Sequence, residues 1–290
     1  MRLTSRSPLG VHSWVWSGDL SSEGLGRAVE GAVRAGYDFL ELALMEPRAL
    51  DVTSLRRRLE EHDLAVSGSL GLSTLNDVTS ADESIAQAGA RLLDEALEVI
   101  AALGGTMLCG VLYSALSKYP APSTPMEWGR AVDAIGRLAE RAATLGVSLA
   151  LEVVNRYETN VFNTAADALR FVDDVGLANV GVHLDTYHMN IEEQDMATPV
   201  LACGNRLAYV HVGESHRGAL GTGTVDFASF FDALATTGYR GPIAFESFSR
   251  AIVGSSLSGS LAIWRELWDD PDALASDALS FVRAHLEARH

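Results

Sequence analysis

Two rhythms of apolar residues alternate along this chain. Short runs that are apolar at most positions lie at 9–15, 37–42, 65–70, 106–112, 148–154, 180–184, 207–210 and 242–245. Between them apolar residues return every three or four positions over 25–35, 52–62, 85–103, 126–145, 164–175 and 227–237, with a shorter stretch near 199–202. A run apolar on both faces is the pattern of a strand buried between layers, and the three-to-four spacing is that of a helix covering one side of a core. The punctuation agrees with both. Gly36, Gly104-Gly105 and Gly146 stand where helices should stop, Asn163 or Thr164 where one should start, and Pro120, Pro122 and Pro125 break the loop before 126. Eight strand-helix units in series predict an α/β fold of parallel strands. Its closed form, the (β/α)8 TIM barrel, brings the C-terminal ends of all strands to one face. The tail over 261–267 and 272–286, with Pro271 at a helix start, predicts the last helix and an extra C-terminal one. With 290 residues, no repeat and no linker-like tract, the chain reads as a single domain over 1–290.

The residues at the strand ends turn the argument from fold to chemistry. The run at 148–154 carries Glu152, 180–184 runs into Asp185, 207–210 into His211 and 242–245 into Glu246, spaced 33, 26 and 35 residues apart. Taken alone, each is explained equally well as a polar strand end hydrogen-bonded in its own loop. Four at the same place in four consecutive units would meet on the active face of a barrel, where three clustered carboxylates repel unless a divalent cation neutralises them. Oxygen ligands with one imidazole and no thiolate suit a hard or borderline ion. The set therefore predicts one divalent metal held by Glu152, Asp185, His211 and Glu246, with Mn²⁺, Mg²⁺ and Co²⁺ all compatible.

A second tier lies a few residues further on: Glu158, His188 and Arg217. These are either surface loop charges or a substrate grip, since loops on this face of a barrel hold substrate. A carboxylate, an imidazole and a guanidinium suit hydroxyls and a carbonyl but are too weakly positive to cradle phosphate, so an uncharged polyol is the natural ligand. An apolar wall for it would come from aromatic residues near the strand ends. Trp14, Trp16, Tyr113 and Phe248 stand there, with Trp16 and Phe248 preferred, and His12 and Ser69 are candidates for the same lining; core packing is the alternative for each.

Composition removes whole classes of partner. A net charge of −16, from 22 basic and 38 acidic residues, argues against a protein that tracks a polyanion, so nucleic acid is not expected. The two cysteines, Cys109 and Cys203, sit in apolar neighbourhoods and read as free thiols in a reducing compartment. The N-terminal residues lack the apolar core of a signal peptide, and no apolar run approaches the ~20 residues that span a bilayer. A soluble cytoplasmic protein without a membrane partner is the expectation.

Four stretches carry a family likeness: Leu-Glu-Val-Val-Asn-Arg-Tyr-Glu (151–158), His-Leu-Asp-Thr-Tyr-His-Met-Asn-Ile-Glu-Glu (183–193), His-Val-Gly-Glu-Ser-His-Arg (211–217) and Phe-Glu-Ser-Phe (245–248). With Leu-Met-Glu-Pro (44–47), Ser-Leu-Gly-Leu-Ser (69–73) and Ile-Trp-Arg-Glu-Leu-Trp (263–268), the chain resembles the ketose 3-epimerases that act on D-tagatose, D-allulose (D-psicose) or L-ribulose, within the xylose isomerase-like barrels. The resemblance implies that Glu152, Asp185, His211 and Glu246 hold the metal, that Glu152 and Glu246 double as an acid/base pair, and that Glu158, His188 and Arg217 fix the ketose around O1 to O3. It also implies a homodimer or homotetramer.

The expected reaction is inversion of C3 of a free ketose such as D-fructose, D-allulose, D-tagatose or L-ribulose. The metal would polarise the C2 carbonyl and stabilise an enediolate, while one carboxylate takes the C3 proton and the other returns one from the far side. An aldose-ketose isomerase on the same barrel is the main alternative. A metal-dependent endonuclease would need more histidine ligands and a basic groove, and a non-catalytic sugar-binding barrel leaves two opposed carboxylates unexplained.

Overall fold

The computed structural model, which describes residues 7–289, closes eight parallel strands into a barrel in sequence order. The strands are β1 (Leu9–His12), β2 (Phe39–Ala43), β3 (Ala65–Leu72), β4 (Met107–Ala115), β5 (Ser148–Val153), β6 (Val180–Asp185), β7 (Leu207–Val212) and β8 (Ile243–Phe245). Around them run α1 (Ser22–Ala35), α2 (Val52–Glu61), α3 (Glu83–Ala102), α4 (Pro125–Thr144), α5 (Ala165–Val175), α6 (Thr186–Glu192), α7 (Thr198–Cys203), α8 (Phe227–Thr237), α9 (Arg250–Ser260) and α10 (Pro271–Glu287).

Local chemistry sets these boundaries. Ser21, Asp51, Asp82, Thr164, Asp226 and Asp270 each cap a helix by accepting a backbone N–H with the side chain, and Thr124 with Glu127 forms a reciprocal capping box ahead of Pro125. Asp185 does double duty. It ends β6 and caps α6 by accepting the N–H of Tyr187 at 2.9 Å, so α6 follows the strand with no loop to announce it.

Side chains alternate between two cores. The outer faces of the strands pack against the helices in a large cluster that includes Leu40, Leu108, Leu151, Val182 and Val210, where each fully buried aliphatic side chain contributes roughly 1.5–3 kcal/mol. The inside of the barrel holds a small plug of Phe39, Cys109, Ala150, Tyr209 and Ala244. Above this plug the inward positions become polar. Parallel register aligns His12 with Glu41, Glu41 with Ser67, Glu152 with His183, and Asp185 with His211.

Two helices follow β8. The final one, α10, packs on α1 and α8 and so closes the helical ring. The other, α9, lies beside the 3₁₀ turn Ser13–Val15. The stretch 261–267, expected to be helical, is not: α9 ends before it, and Ala262 within it has a left-handed φ of 53° that a helix does not accommodate.

Candidate active site

Strands of the second half of the barrel deliver the predicted residues to one point. One oxygen or ring nitrogen from each of Glu152, Asp185, His211 and Glu246 falls in a group whose members all lie within 4.8 Å of one another, and all four residues are buried. His211 Nδ1 is 3.4 Å from Glu152 Oε1 and 3.6 Å from Glu246 Oε2, yet has no hydrogen-bond partner. An ion coordinated at ~2.0–2.2 Å spans opposite ligands about 4.4 Å apart, so the cluster has the size of a metal site. A buried imidazole nitrogen without a partner beside three carboxylates is a donor set that could hold a divalent cation.

The electrostatics fit the same description. Burial pushes the Glu152 carboxyl up to about 7, opposed by the neighbouring His211 ring and assisted by Glu246 and Asp185. For His211 burial favours the neutral ring, but Glu41 and then Glu246 and Glu152 outweigh it and hold the imidazole well above its ordinary range. In the protein alone, a protonated ring and a guanidinium partly supply the positive charge the carboxylates need. The guanidinium is that of Arg217, whose Nη1 lies 2.8 Å from Asp185 Oδ2 and 2.6 Å from Glu246 Oε2.

Arg217 is held there against a backbone cost. Its φ of 63° is left-handed, unusual for a residue with a side chain. Its N–H donates to the carbonyl of Glu214 at 2.8 Å, and its own carbonyl accepts from Ser247 Oγ at 2.5 Å. Glu214 is buried and gathers the loop by accepting backbone N–H groups of Ser215, Gly221 and Val225. A Cβ on Gly213 would stand 2.9 Å from Arg217 Nη1, so a side chain there would have to displace the guanidinium. Its flat face lies 3.9 Å from the Tyr187 ring centroid.

His188, on α6, is buried with Nδ1 accepting the backbone N–H of Asn155, which leaves Nε2 facing Asp185 at 3.6 Å and Glu152 at 3.9 Å. Burial lowers its ring to about 3, so the ring is neutral, and Nε2 also stands 3.3 Å from Arg217 Nη2. Glu158 accepts from the Asn155 amide at 2.7 Å, and burial raises its carboxyl while Arg217 opposes that. Glu152, Glu158, His188, His211, Arg217 and Glu246 line a cavity of about 810 Å³ with His12, Ser69, Trp14 and Phe248. Trp14 meets Phe248 edge-on at 5.5 Å and His12 at 4.7 Å, giving one apolar wall.

Two wall assignments are corrected. Trp16 does not reach the cavity: the 3₁₀ turn Ser13–Val15 sends Trp14 inward and Trp16 outward onto Gly31 of α1, where its indole N–H donates to Asp272 at 2.7 Å. Tyr113 also faces outward. The β3–β4 register slips between Gly71 and Leu72, which pair with Val111 and Ala115, and the added residues rotate Tyr113 onto Phe162 at 3.9 Å. Its hydroxyl donates to the Glu152 carbonyl at 2.8 Å, so it supports the strand from behind.

Three residues given no role from sequence belong to the site. Asn155 holds His188 and Glu158, and Tyr187 stacks under Arg217. Glu41, fully buried on β2, contacts His211 Nε2 at 2.8 Å. The signal for Glu41 was available, since a lone carboxylate inside the apolar strand Phe-Leu-Glu-Leu-Ala requires a buried partner.

Comparison with known proteins gives consistent matches over nearly the whole chain. The sequence model described as xylose isomerase-like TIM barrel matches residues 29–285. An L-ribulose 3-epimerase of Methylomonas sp. is 53% identical over 98% of this chain and 99% of its own. A ketose 3-epimerase of Arthrobacter globiformis is 49% identical over 97% of each. A crystal structure of D-allulose 3-epimerase from Methylomonas sp. in complex with D-allulose superposes with a TM-score of 0.95 at 53% identity, covering 98% of this chain and 99% of that one. Among the described residues no helix is long and apolar enough to cross a membrane.

Proposed function

The chain belongs to the ketose 3-epimerases of the xylose isomerase-like TIM barrel family, and from that premise we propose that it inverts C3 of free ketoses in a metal-dependent reaction with Glu152 and Glu246 as the acid/base pair. The observation that carries the reading is the meeting of these two carboxylates at the unpartnered Nδ1 of His211, inside a cavity sized for a sugar. The relatives' names, L-ribulose 3-epimerase and D-allulose 3-epimerase, support L-ribulose and D-allulose as substrates, with D-fructose and D-tagatose as further candidates.

A divalent ion held by Glu152, Asp185, His211 and Glu246, Mn²⁺ first with Mg²⁺ or Co²⁺ as alternatives, would supply Lewis-acid polarisation of the C2 carbonyl. The residues do the rest. Arg217 and His188 donate to the sugar's oxygens and Glu158 accepts from a hydroxyl, fixing the C1–C3 end, while Trp14 and Phe248 cover the carbon chain. In one direction Glu246 removes the C3 proton, and the C–H electron pair moves into the C2–C3 bond as O2 takes the negative charge. Glu152 then returns a proton to the opposite face of C3, and the electron pair moves back from O2. The reverse direction exchanges the two roles.

The test is product analysis after parallel incubation with D-fructose, D-allulose, D-tagatose and L-ribulose in the presence of Mn²⁺. The reading expects the C3 epimer from at least one of them. An aldose as the main product, or no turnover of any, contradicts it.

A further inference from the structure

We propose that Glu41 is the positioning residue that makes His211 a metal ligand; the proposal rests on the metal-site reading above and adds to it the group that sets the ligand's tautomer. Glu41 has no solvent exposure, and a carboxylate there must be satisfied from within. Its two oxygens lie 3.0 and 2.8 Å from His211 Nε2, and Oε2 also accepts from the Tyr209 hydroxyl at 2.6 Å. Ser67 Oγ contacts that hydroxyl at 2.9 Å, and His12 Nε2 stands 3.7 Å from Oε1.

The logic is one of donors and acceptors. A carboxylate only accepts, so His211 Nε2 must carry a hydrogen. A metal-ligating imidazole is neutral, and with its hydrogen on Nε2 the bare nitrogen is Nδ1, the atom that faces Glu152 and Glu246 without a partner. β2 and β7 are separated by β8 and β1 in the barrel, so this contact runs through its interior and pins the ring from a strand that does not pair with its own. Glu41, Cys109 and His211 also form a compact group of possible ligands. A direct 2.8 Å contact between Glu41 and His211 leaves no space for an ion between them, which makes Glu41 an outer partner rather than a ligand.

Glu41→Gln keeps the shape but lets an amide N–H₂ face Nε2, which frees the ring to place its hydrogen on Nδ1 and block the ion. Outer partners of this kind change metal affinity by roughly 10- to 100-fold. The measurement is Mn²⁺ titration of the metal-stripped full chain, followed by electron paramagnetic resonance of the free ion, for wild type, Glu41→Gln and Tyr209→Phe. Circular dichroism confirms folding. The expected result is one Mn²⁺ per wild-type chain, a Kd weakened at least tenfold in folded Glu41→Gln, and a smaller weakening in Tyr209→Phe. A Kd within threefold of wild type in folded Glu41→Gln overturns the role of Glu41 while leaving the metal site intact. Failure of the wild type to bind Mn²⁺ overturns the metal-site reading itself. Should Glu41→Gln not fold, an unchanged Kd in Tyr209→Phe, which loosens Glu41 without removing it, overturns the proposal.

Discussion

Arg217 Nη1 lies 2.6 Å from Glu246 Oε2, and the same nitrogen reaches Asp185 Oδ2 at 2.8 Å. One cation therefore touches the proposed base and a proposed metal ligand at once. Removing each partner should have a different kinetic signature. Arg217→Ala deletes a charged hydrogen-bond donor, worth about 1.5–3 kcal/mol, and should lower kcat/KM roughly 10- to 100-fold mainly through KM. Glu158→Ala should fall in the same class. Glu246→Gln deletes the proton-transfer group and should lower kcat by about 10²-fold or more while the sugar still binds. Steady-state kinetics on the three variants checks this, and equal mild losses in all of them contradict the assignment.

The metal-free protein should carry a pH signature of Glu152. Burial raises its carboxyl from 4.5 to about 7, so the folded state holds the proton more tightly than the unfolded chain does. The stability this contributes is complete below pH 4.5 and is lost as pH rises through 7. At 1.36 kcal/mol per pKa unit the loss amounts to about 3 kcal/mol. Glu152→Gln does not titrate, so in denaturant melts of the metal-free proteins its stability relative to wild type should rise across that window. A difference independent of pH would contradict the buried, proton-holding state of Glu152.

How much of this was legible depends on what a short stretch of chain encodes. The strand ends at Glu152, Asp185, His211 and Glu246 are marked by an apolar run stopping at a polar residue, and the caps Thr164 and Gly36 announce helix boundaries locally. The direction in which a side chain points after a strand is not local. Trp14 and Trp16 look equivalent in sequence, and the 3₁₀ turn decides between them. Tyr113 has the inward parity of Cys109 and Val111, and the bulge against β3 reverses it. Glu41 was visible as a charge in an apolar strand, but its partner His211 lies across the barrel interior, which only closure of the fold brings within reach.

Chelation should destabilise the fold as well as silence it. An ion bound only by the native state at 100 times its Kd adds about 2.7 kcal/mol, which for a chain of this size corresponds to roughly 4 °C in Tm. EDTA treatment should lower Tm by that order, and Mn²⁺ should restore it in wild type but not in Asp185→Asn, which weakens the ligand set. An unchanged Tm and full activity in a verified metal-free sample would contradict the metal reading.

The central claim is that Glu152 and Glu246 transfer protons at C3, and deuterium incorporation tests it most directly. When the donor is a different side chain from the acceptor, the proton returned has equilibrated with solvent between turnovers. Epimerisation in D₂O, followed by mass spectrometry and proton NMR of the isolated sugar, should give a C3 epimer carrying deuterium at C3. Deuterium at C1 or C2 with an aldose product would indicate isomerisation instead. A C3 epimer with no deuterium at C3 would contradict the two-carboxylate mechanism and leave Glu152 and Glu246 with no proton-transfer role.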